Sequence, residues 1–111
     1  MFNSSWIDKS LLLKDGVNLI SRIWLPNGNG PWPALLMRQP YGREIASTIT
    51  YPHPVWWTSK GYMVIIQDVR GMGSSEGVFN AFKQEASDNS ETHEWVRSLK
   101  ECNGKLGLYG F

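Results

Sequence analysis

The chain has 111 residues, of which 41% are hydrophobic and 13% are aromatic, and this is enough apolar side chain to pack one core. Eleven Lys and Arg against ten Asp and Glu give a net charge of +1, and the charges do not form blocks of one sign. The long-range field that favours binding to nucleic acid or to an anionic membrane is therefore missing, and we expect neither as a partner.

The first elements predicted along the chain are the two strands of an antiparallel hairpin. The apolar run 10–13 is closed by the turn signal Lys14-Asp15-Gly16, and residues 17–25 then follow a two-residue alternation. A loop rich in Pro, Asn and Gly occupies residues 26–31. The continuous apolar run Ala34 to Met37 after it predicts a short strand that is buried on both faces.

Helices and strands alternate in the rest of the sequence. Pro54 to Lys60 predicts a short helix, and Tyr62 to Ile66 gives the strongest buried-strand pattern in the chain. From Lys83 to Lys100 one set of residues recurs three or four apart, which predicts an amphipathic helix with this inner face: Asp88, Thr92, Trp95, Val96 and Leu99. We expect Cys102-Asn103-Gly104 to end that helix in a left-handed turn, and a further strand to begin at Leu106.

This order of elements indicates an α/β fold. Strands that alternate with helices imply right-handed crossovers and a largely parallel sheet covered on both sides, here with antiparallel strands at the start. Ligands gather at the carboxyl ends of the strands in such sheets. Two loops are predicted there, at Arg38 to Arg43 and at Asp68 to Gly77.

Glycines in the second loop raise the possibility of a phosphate-binding turn, which the spacing argues against. The pattern from Gly71 to Gly77 is G-x-G-x-x-x-G, the charged segment Asp68-Val69-Arg70 separates it from the strand, and about ten residues precede the next helix. The simpler interpretation is a tight loop in which glycines permit positive φ angles.

Several motifs in this order resemble one branch of the α/β-hydrolases. Residues 68–77 resemble the D-x-R-G-x-G-x-S loop of that fold, and "MRQPYGR" at Met37 to Arg43 resembles the strand-end motif of the branch. The helix "EASDNSETHEWVRSL" and the strand after "CNGK" are similar to it too. The branch comprises X-prolyl dipeptidyl-peptidases, cocaine esterases and related acylases (peptidase S15-like), and the resemblance to its N-terminal half covers nearly the whole chain.

The resemblance implies the N-terminal portion of an α/β-hydrolase domain over residues 1–111 and a Ser-His-Asp hydrolase of ester or amide bonds as the parent protein. In the family the last strand here continues into G-x-S-Y-x-G, whose serine is the nucleophile. Gly110-Phe111 matches the first two positions, so we expect the chain to stop one residue before the serine. The family's Asp and His come later still, and we expect the chain alone to be inactive.

Tyr41 is the catalytic residue that the resemblance assigns within the chain. In the family the tyrosine of the P-Y motif donates its phenol O–H to the oxyanion, beside the backbone N–H that follows the serine. Without the resemblance, Tyr41 is a packing residue with its hydroxyl at the surface. Arg38 and Arg43 flank the motif and are expected to hold the loop.

The remaining site predictions concern the glycine loop, the histidines, the acidic residues and the cysteine. By resemblance the loop is structural, through Asp68, Arg70, Gly71, Gly73 and Ser75. His53, between two prolines, is a candidate for substrate binding, whereas His93 on the helix is expected to be structural. Glu85 and Asp88 are expected to be caps or surface charges, and Cys102 is expected to be structural. No metal-ligand spacing occurs, and we expect no cofactor.

A second hypothesis is a non-catalytic α/β module that binds carbohydrate or peptide through exposed tryptophans. Trp24, Trp56, Trp57 and Trp95 fall in predicted elements and are expected to pack inside, which leaves Trp6 and Trp32 as candidates.

Location and assembly follow from simpler features. The single cysteine favours a reducing compartment, and neither a signal peptide nor a run of about 18 apolar residues is present, so a cytoplasmic protein is expected. The last strand should lack a neighbour, which predicts self-association through an exposed sheet edge.

Overall fold

A computed structural model describes residues 6–39, 54–69, 75 and 85–108, and these form one sheet flanked by two helices. The elements in chain order are β1 (Trp6–Leu12), β2 (Asn18–Trp24), β3 (Trp32–Gln39), α1 (Pro54–Thr58), β4 (Met63–Asp68), α2 (Glu85–Ser98) and β5 (Cys102–Leu108).

The five strands lie in the order β1-β2-β4-β3-β5. β1 pairs antiparallel with β2, and β2 pairs antiparallel with β4. β4, β3 and β5 then run parallel to one another. Parallel strands need crossover connections, and the chain passes through α1 between β3 and β4 and through α2 between β4 and β5. The predicted α/β class, with antiparallel first strands followed by parallel ones, is therefore confirmed.

Each face of the sheet carries one helix and one apolar cluster. On the face under α2, Ile23, Leu36 and Ile65 are buried with Val96 of the helix. Met37, Val64 and Ile66 point to the other face, together with Trp24, and pack with Val55 of α1. This division follows from the two-residue alternation of side chains along each strand. Every residue of β4 is buried. The apolar run predicts this for Met63 to Ile66, whereas Gln67 and Asp68 are polar residues buried at the end of the strand.

The β1–β2 turn is built locally and is also tied to α2. The backbone N–H of Leu13 donates to the carbonyl of Val17 at 2.8 Å, and Gly16 adopts a φ of 91°, which a side chain would oppose. Glu91 Oε1 of α2 accepts a 2.8 Å hydrogen bond from the backbone N–H of Lys14. The hairpin is thus fixed against the face of the sheet that α2 covers.

The start of β5 differs from the prediction. Cys102-Asn103-Gly104 does not terminate α2, which ends at Ser98, but belongs to β5 itself. Trp32 of β3 pairs with Cys102 and Ala34 pairs with Leu106, so two steps along β3 correspond to four along β5. The positive φ of Gly104, 89°, therefore serves a bulge in the strand rather than a helix cap.

No helix among the described residues is long and apolar enough to cross a membrane.

Candidate functional site

The carboxyl ends of three parallel strands meet at one edge of the sheet. β3 lies between β4 and β5, and Gln39 at the end of β3 pairs with Asp68 at the end of β4. The two predicted loops therefore leave the sheet side by side. Tyr41 follows the end of β3 by two residues and lies outside the described residues, as does Phe111 after β5.

Ser75 binds the end of β4 to β2. Its hydroxyl donates to the carbonyl of Asp68 at 2.6 Å and accepts from the backbone N–H of Ile20 at 2.8 Å. The antiparallel ladder of β2 and β4 pairs Ser21 with Gln67 at this end, so Ile20 and Asp68 stand at the next position. The Ser75 hydroxyl bridges the two backbone groups there, and Ser75 is 9% exposed. It satisfies two groups that would be costly to bury alone.

Ser75 also stands at the centre of a spacing that is typical of a nucleophile elbow. Gly73-Ser74-Ser75-Glu76-Gly77 fits the letters G-x-S-x-G of a nucleophile elbow. A nucleophilic serine needs a base as the acceptor of its proton and a hydroxyl exposed above the sheet. The Ser75 proton is instead directed at a backbone carbonyl, and the side chain is nearly buried. This geometry does not suit a nucleophile.

A buried polar network lies beneath the same edge, between the sheet and α2. Gln67 Oε1 accepts from Arg38 Nε at 2.6 Å and from Thr92 Oγ1 at 3.0 Å. Arg38 Nη1 also donates to Asn89 Oδ1 at 2.8 Å. Gln67 and Thr92 are fully buried. The guanidinium of Arg38 thus joins the carboxyl ends of β3 and β4 to the helix, three residues before Tyr41.

His93 lies beside this network on α2. Partial burial lowers the pKa of its imidazole below 6.5, and the positive charges of Arg97 and Arg38 lower this pKa further. The side chain is consequently neutral at physiological pH. It is expected to be structural, and the nearby cations disfavour the imidazolium that a general base must form.

The other predicted residues fall into two groups. Asp68 is completely buried and Cys102 is a buried free thiol, whose Sγ lies 3.7 Å from the carbonyl oxygen of Lys105. Asp88 is 1% exposed, so it is not a surface charge, and its place in the three-to-four-residue repeat of α2 explains the burial. Outside the described residues lie His53, Arg43, Arg70, Gly71 and Gly73, together with the side chain of Glu85.

Two of the tryptophan predictions are wrong. Trp32 is partly buried against the cluster under α2, because the β3–β5 pairing begins at this residue. Trp56 is 43% exposed, since it lies on the outer side of the short helix α1. Trp6 is 47% exposed, as expected, and its ring covers the guanidinium of Arg22 at 3.5 Å. The binding-module hypothesis loses one of its two candidate rings.

Metal binding has no support in the part of the chain that the structure describes. No group of three or more His, Cys, Asp or Glu side chains that could hold an ion occurs among residues 6–39, 54–69, 75 and 85–108.

Comparison with known proteins identifies relatives over nearly the whole chain. Residues 15–111 match the family model described as X-Pro dipeptidyl-peptidase (S15 family). The cocaine esterase of Rhodococcus sp. (strain MB1 Bresler) is 33% identical over 100 residues, which are 88% of this chain and 17% of the esterase.

Solved structures show the same arrangement. A CocE/NonD family hydrolase from Staphylococcus aureus superimposes with a TM-score of 0.81 at 28% identity, over 93% of this chain and 22% of that one. An alpha-amino acid ester hydrolase gives a TM-score of 0.76 at 28% identity, over 99% of this chain and 22% of the other. An aminopeptidase from a marine sediment archaeon, Thaumarchaeota archaeon, gives 0.75 at 25% identity, over 99% and 23%. The chain spans about a fifth of the length of these relatives.

Proposed function

Because the chain belongs to the X-Pro dipeptidyl-peptidase (S15) family, we propose that it forms the N-terminal part of the catalytic domain of a serine hydrolase that cleaves ester or amide acyl bonds. The names of the relatives support this class of bond, since they include two ester hydrolases and an aminopeptidase. The proposal concerns a protein longer than the 111 residues, of which this segment supplies one side of the active site.

One observation carries the proposal: β3 and β5 are adjacent and parallel, with Leu36 paired to Leu108. The segment that contains Tyr41 and the segment that contains Gly110-Phe111 therefore leave the sheet at the same edge, from neighbouring strands. Oxyanion stabilisation by a phenol requires this neighbourhood, because the donor must lie about 3 Å from the oxygen of the attacked carbonyl.

In the proposed reaction a serine on the turn after β5 attacks the substrate carbonyl through its Oγ, and a histidine takes the serine proton. The carbonyl oxygen becomes an oxyanion, which receives hydrogen bonds from the phenol of Tyr41 and from the backbone N–H after the serine. The histidine then gives its proton to the leaving alcohol or amine. Water enters, attacks the acyl-enzyme in the same way, and releases the acid and the free serine.

The 111-residue chain should not turn over substrate by itself. Its sequence contains two histidines, and the pKa of His93 is lowered by burial and by the charges of Arg97 and Arg38. The serine of its G-x-S-x-G letters, Ser75, donates its proton to a backbone carbonyl. We therefore place the nucleophile after Phe111, in agreement with the family motif. His53 remains a candidate for substrate contact. It stands between two prolines in the part of the sequence that follows β3, and segments after strand ends often carry functional residues.

An esterase assay tests the proposal. The chain should show no saturable hydrolysis of p-nitrophenyl acetate, whereas the product of the natural gene extending beyond Phe111 should show turnover that a serine-directed phosphonate blocks. In that longer protein, Tyr41→Phe should lower kcat by about 100-fold or more with little change in KM, since one oxyanion donor is lost. Turnover by the 111-residue chain that the phosphonate blocks, or an unchanged kcat in the variant, would refute the proposal.

Location and association are further parts of the proposal. We place the protein in the cytoplasm, because its single cysteine is a buried free thiol that suits a reducing compartment. We expect the isolated chain to self-associate through β5, which pairs only with β3 in the described sheet and carries Leu108 at 62% exposure. Its partner in the longer protein is an acyl substrate, and neither nucleic acid, a membrane nor a cofactor is required.

A further inference from the structure

The bulge at the start of β5 contains an Asn-Gly pair, Asn103-Gly104, at an exposed position. The pairing of β3 with β5 passes from Cys102 to Leu106 and assigns no partner to residues 103–105. Gly104 has a φ of 89° and no atom within 4 Å of the place where a Cβ would lie. Gly104 therefore has open space where a side chain would stand, and it lies in the part of β5 that has no partner in the ladder with β3.

Asn103 is held in a specific geometry by the residue two positions later. The backbone N–H of Lys105 donates to Asn103 Oδ1 at 3.0 Å. This bond closes a ring that contains Asn103 Cγ and the peptide nitrogen of Gly104, and it restricts the rotation of the Asn103 side chain relative to that peptide. It also withdraws electron density from Cγ through Oδ1, which makes Cγ a better electrophile.

From this geometry we propose that Asn103 is a site of spontaneous modification to isoaspartate and aspartate. The Gly104 peptide nitrogen, after loss of its proton to solvent, attacks Asn103 Cγ and forms a new C–N bond. The side-chain amide leaves as ammonia, having taken a proton from water, and a cyclic imide remains. Water then opens the imide at either carbonyl, which gives aspartate or isoaspartate without any oxidant or metal.

The Lys105 N–H is the feature that promotes this step. In the tetrahedral intermediate the negative charge develops on Oδ1, the atom that already accepts from Lys105. A donor about 3 Å from a developing oxyanion lowers the barrier to its formation. The chain thus places an oxyanion donor beside one of its own side chains.

The sequence supplies an internal control for this effect. Asn29-Gly30 is also an exposed Asn-Gly pair, but the residue two positions after Asn29 is Pro31, which has no N–H. A bond of the Lys105 type to the Asn29 side chain is therefore chemically impossible. The two sites share the attacking residue type and the exposure, and they differ in the donor and in the space around the glycine, since atoms of the Trp32 ring lie 2.8–3.0 Å from the place where a Cβ of Gly30 would stand.

The modification would alter the connection from α2 into β5. Either product carries a new carboxylate, and isoaspartate adds one carbon to the backbone within the bulge. Because β5 pairs directly with β3, the change acts on the strand neighbouring the one that leads to Tyr41. The resulting isoaspartate is chemically suited to a carboxyl methyltransferase that recognises isoaspartyl residues and uses S-adenosylmethionine.

The test compares the two asparagines in one sample. The folded 111-residue chain is aged at neutral pH, in buffer and in denaturing urea, and both sites are followed by peptide mass spectrometry and by methyltransferase labelling. We expect Asn103 to react at least about fivefold faster than Asn29 in buffer, because one hydrogen bond is worth about this factor and the Trp32 ring also crowds Gly30, and we expect the ratio to fall to about one in urea.

Two results would overturn the inference: Asn29 reacting as fast as Asn103 in buffer, or a rate ratio that urea leaves unchanged. The variant Lys105→Pro removes the donor and should lower the Asn103 rate about fivefold, while Lys105→Ala, which keeps the N–H, should leave the rate as it was. A rate equally low in both variants would contradict the assigned role of the N–H.

Discussion

Replacement of Ser75 by alanine should destabilise the protein far more than its small volume suggests. The hydroxyl serves two backbone groups at once, the N–H of Ile20 at 2.8 Å and the carbonyl of Asp68 at 2.6 Å, and the side chain is 9% exposed. A buried polar group left without its partner costs about 1–3 kcal/mol. For the pair we expect Ser75→Ala to lower the free energy of unfolding by about 2–4 kcal/mol, allowing for partial access of water.

Urea unfolding followed by tryptophan fluorescence measures this loss. With a slope of about 2 kcal/mol per molar urea, a loss of about 2 kcal/mol lowers the midpoint by about 1 M. Hydrogen exchange at the Ile20 amide reports the same bond locally and should accelerate in the variant. Ser98→Ala is the matched control, because Ser98 Oγ also donates to a backbone carbonyl, that of Trp95 at 2.7 Å, but at an exposed position.

The control should stay within about 0.5 kcal/mol of the wild type, as is usual for surface substitutions. If Ser75→Ala matched the control and the Ile20 amide kept its protection, the bridge between β2 and β4 would have no energetic importance. The hydrogen bonds of Ser75 would then no longer argue against a role as nucleophile.

Three further predictions concern the polar network, the histidine and the core. Thr92→Val should lower the free energy of unfolding by about 1 kcal/mol, and Arg38→Met should lower it by more. Arg38 donates to both Gln67 and Asn89, whereas Thr92 contributes one bond. Equal losses in urea unfolding would contradict this order. Because the pKa of His93 is lowered in the folded chain, the unfolded chain binds a proton at this residue more readily. The contribution of neutral His93 to stability is therefore present above a pH of about 6.5 and is lost as the pH falls through the folded-state pKa. Unfolding midpoints across this range should decline less in His93→Gln than in the wild type. Ile65→Ala in the central strand should cost about 2–5 kcal/mol by calorimetry, and a loss below about 1 kcal/mol would show that this face is not packed.

The elements were predictable where the hydrophobic pattern is local and strong. Met63 to Ile66 of β4 are buried, as their continuous apolar run indicates, but the burial of Gln67 and Asp68 at the end of the strand is not marked by the pattern. The repeat in α2 correctly places Thr92 and Val96 inside. The sequence predicts a helix stop where the structure has the start of β5, because a glycine with positive φ suits a helix end and a strand bulge equally well. Only the pairing of Cys102 with Trp32 distinguishes the two.

Contacts between distant residues could not be derived from the pattern. The order in which β4 lies between β2 and β3 depends on pairing across the whole chain, and the bond from Ile20 to Ser75 joins residues 55 positions apart. The pairing of Arg38 with Gln67 and Asn89 is hidden for the same reason, although the sequence does mark Arg38 as a residue that holds its loop. Tyr41 lies outside the described residues, and its assignment rests on the motif resemblance together with the end of β3 two residues earlier in the chain.

The most direct test of the proposed function is the site at which a fluorophosphonate reacts. The 111-residue chain and the product of the natural gene that extends beyond Phe111 are treated with the reagent, and the labelled peptide is identified by mass spectrometry. We predict no adduct on the 111-residue chain and a single adduct, on the serine that follows Gly110-Phe111, in the longer protein. An adduct on Ser75, or the absence of any adduct on a longer protein that hydrolyses esters, would contradict the account.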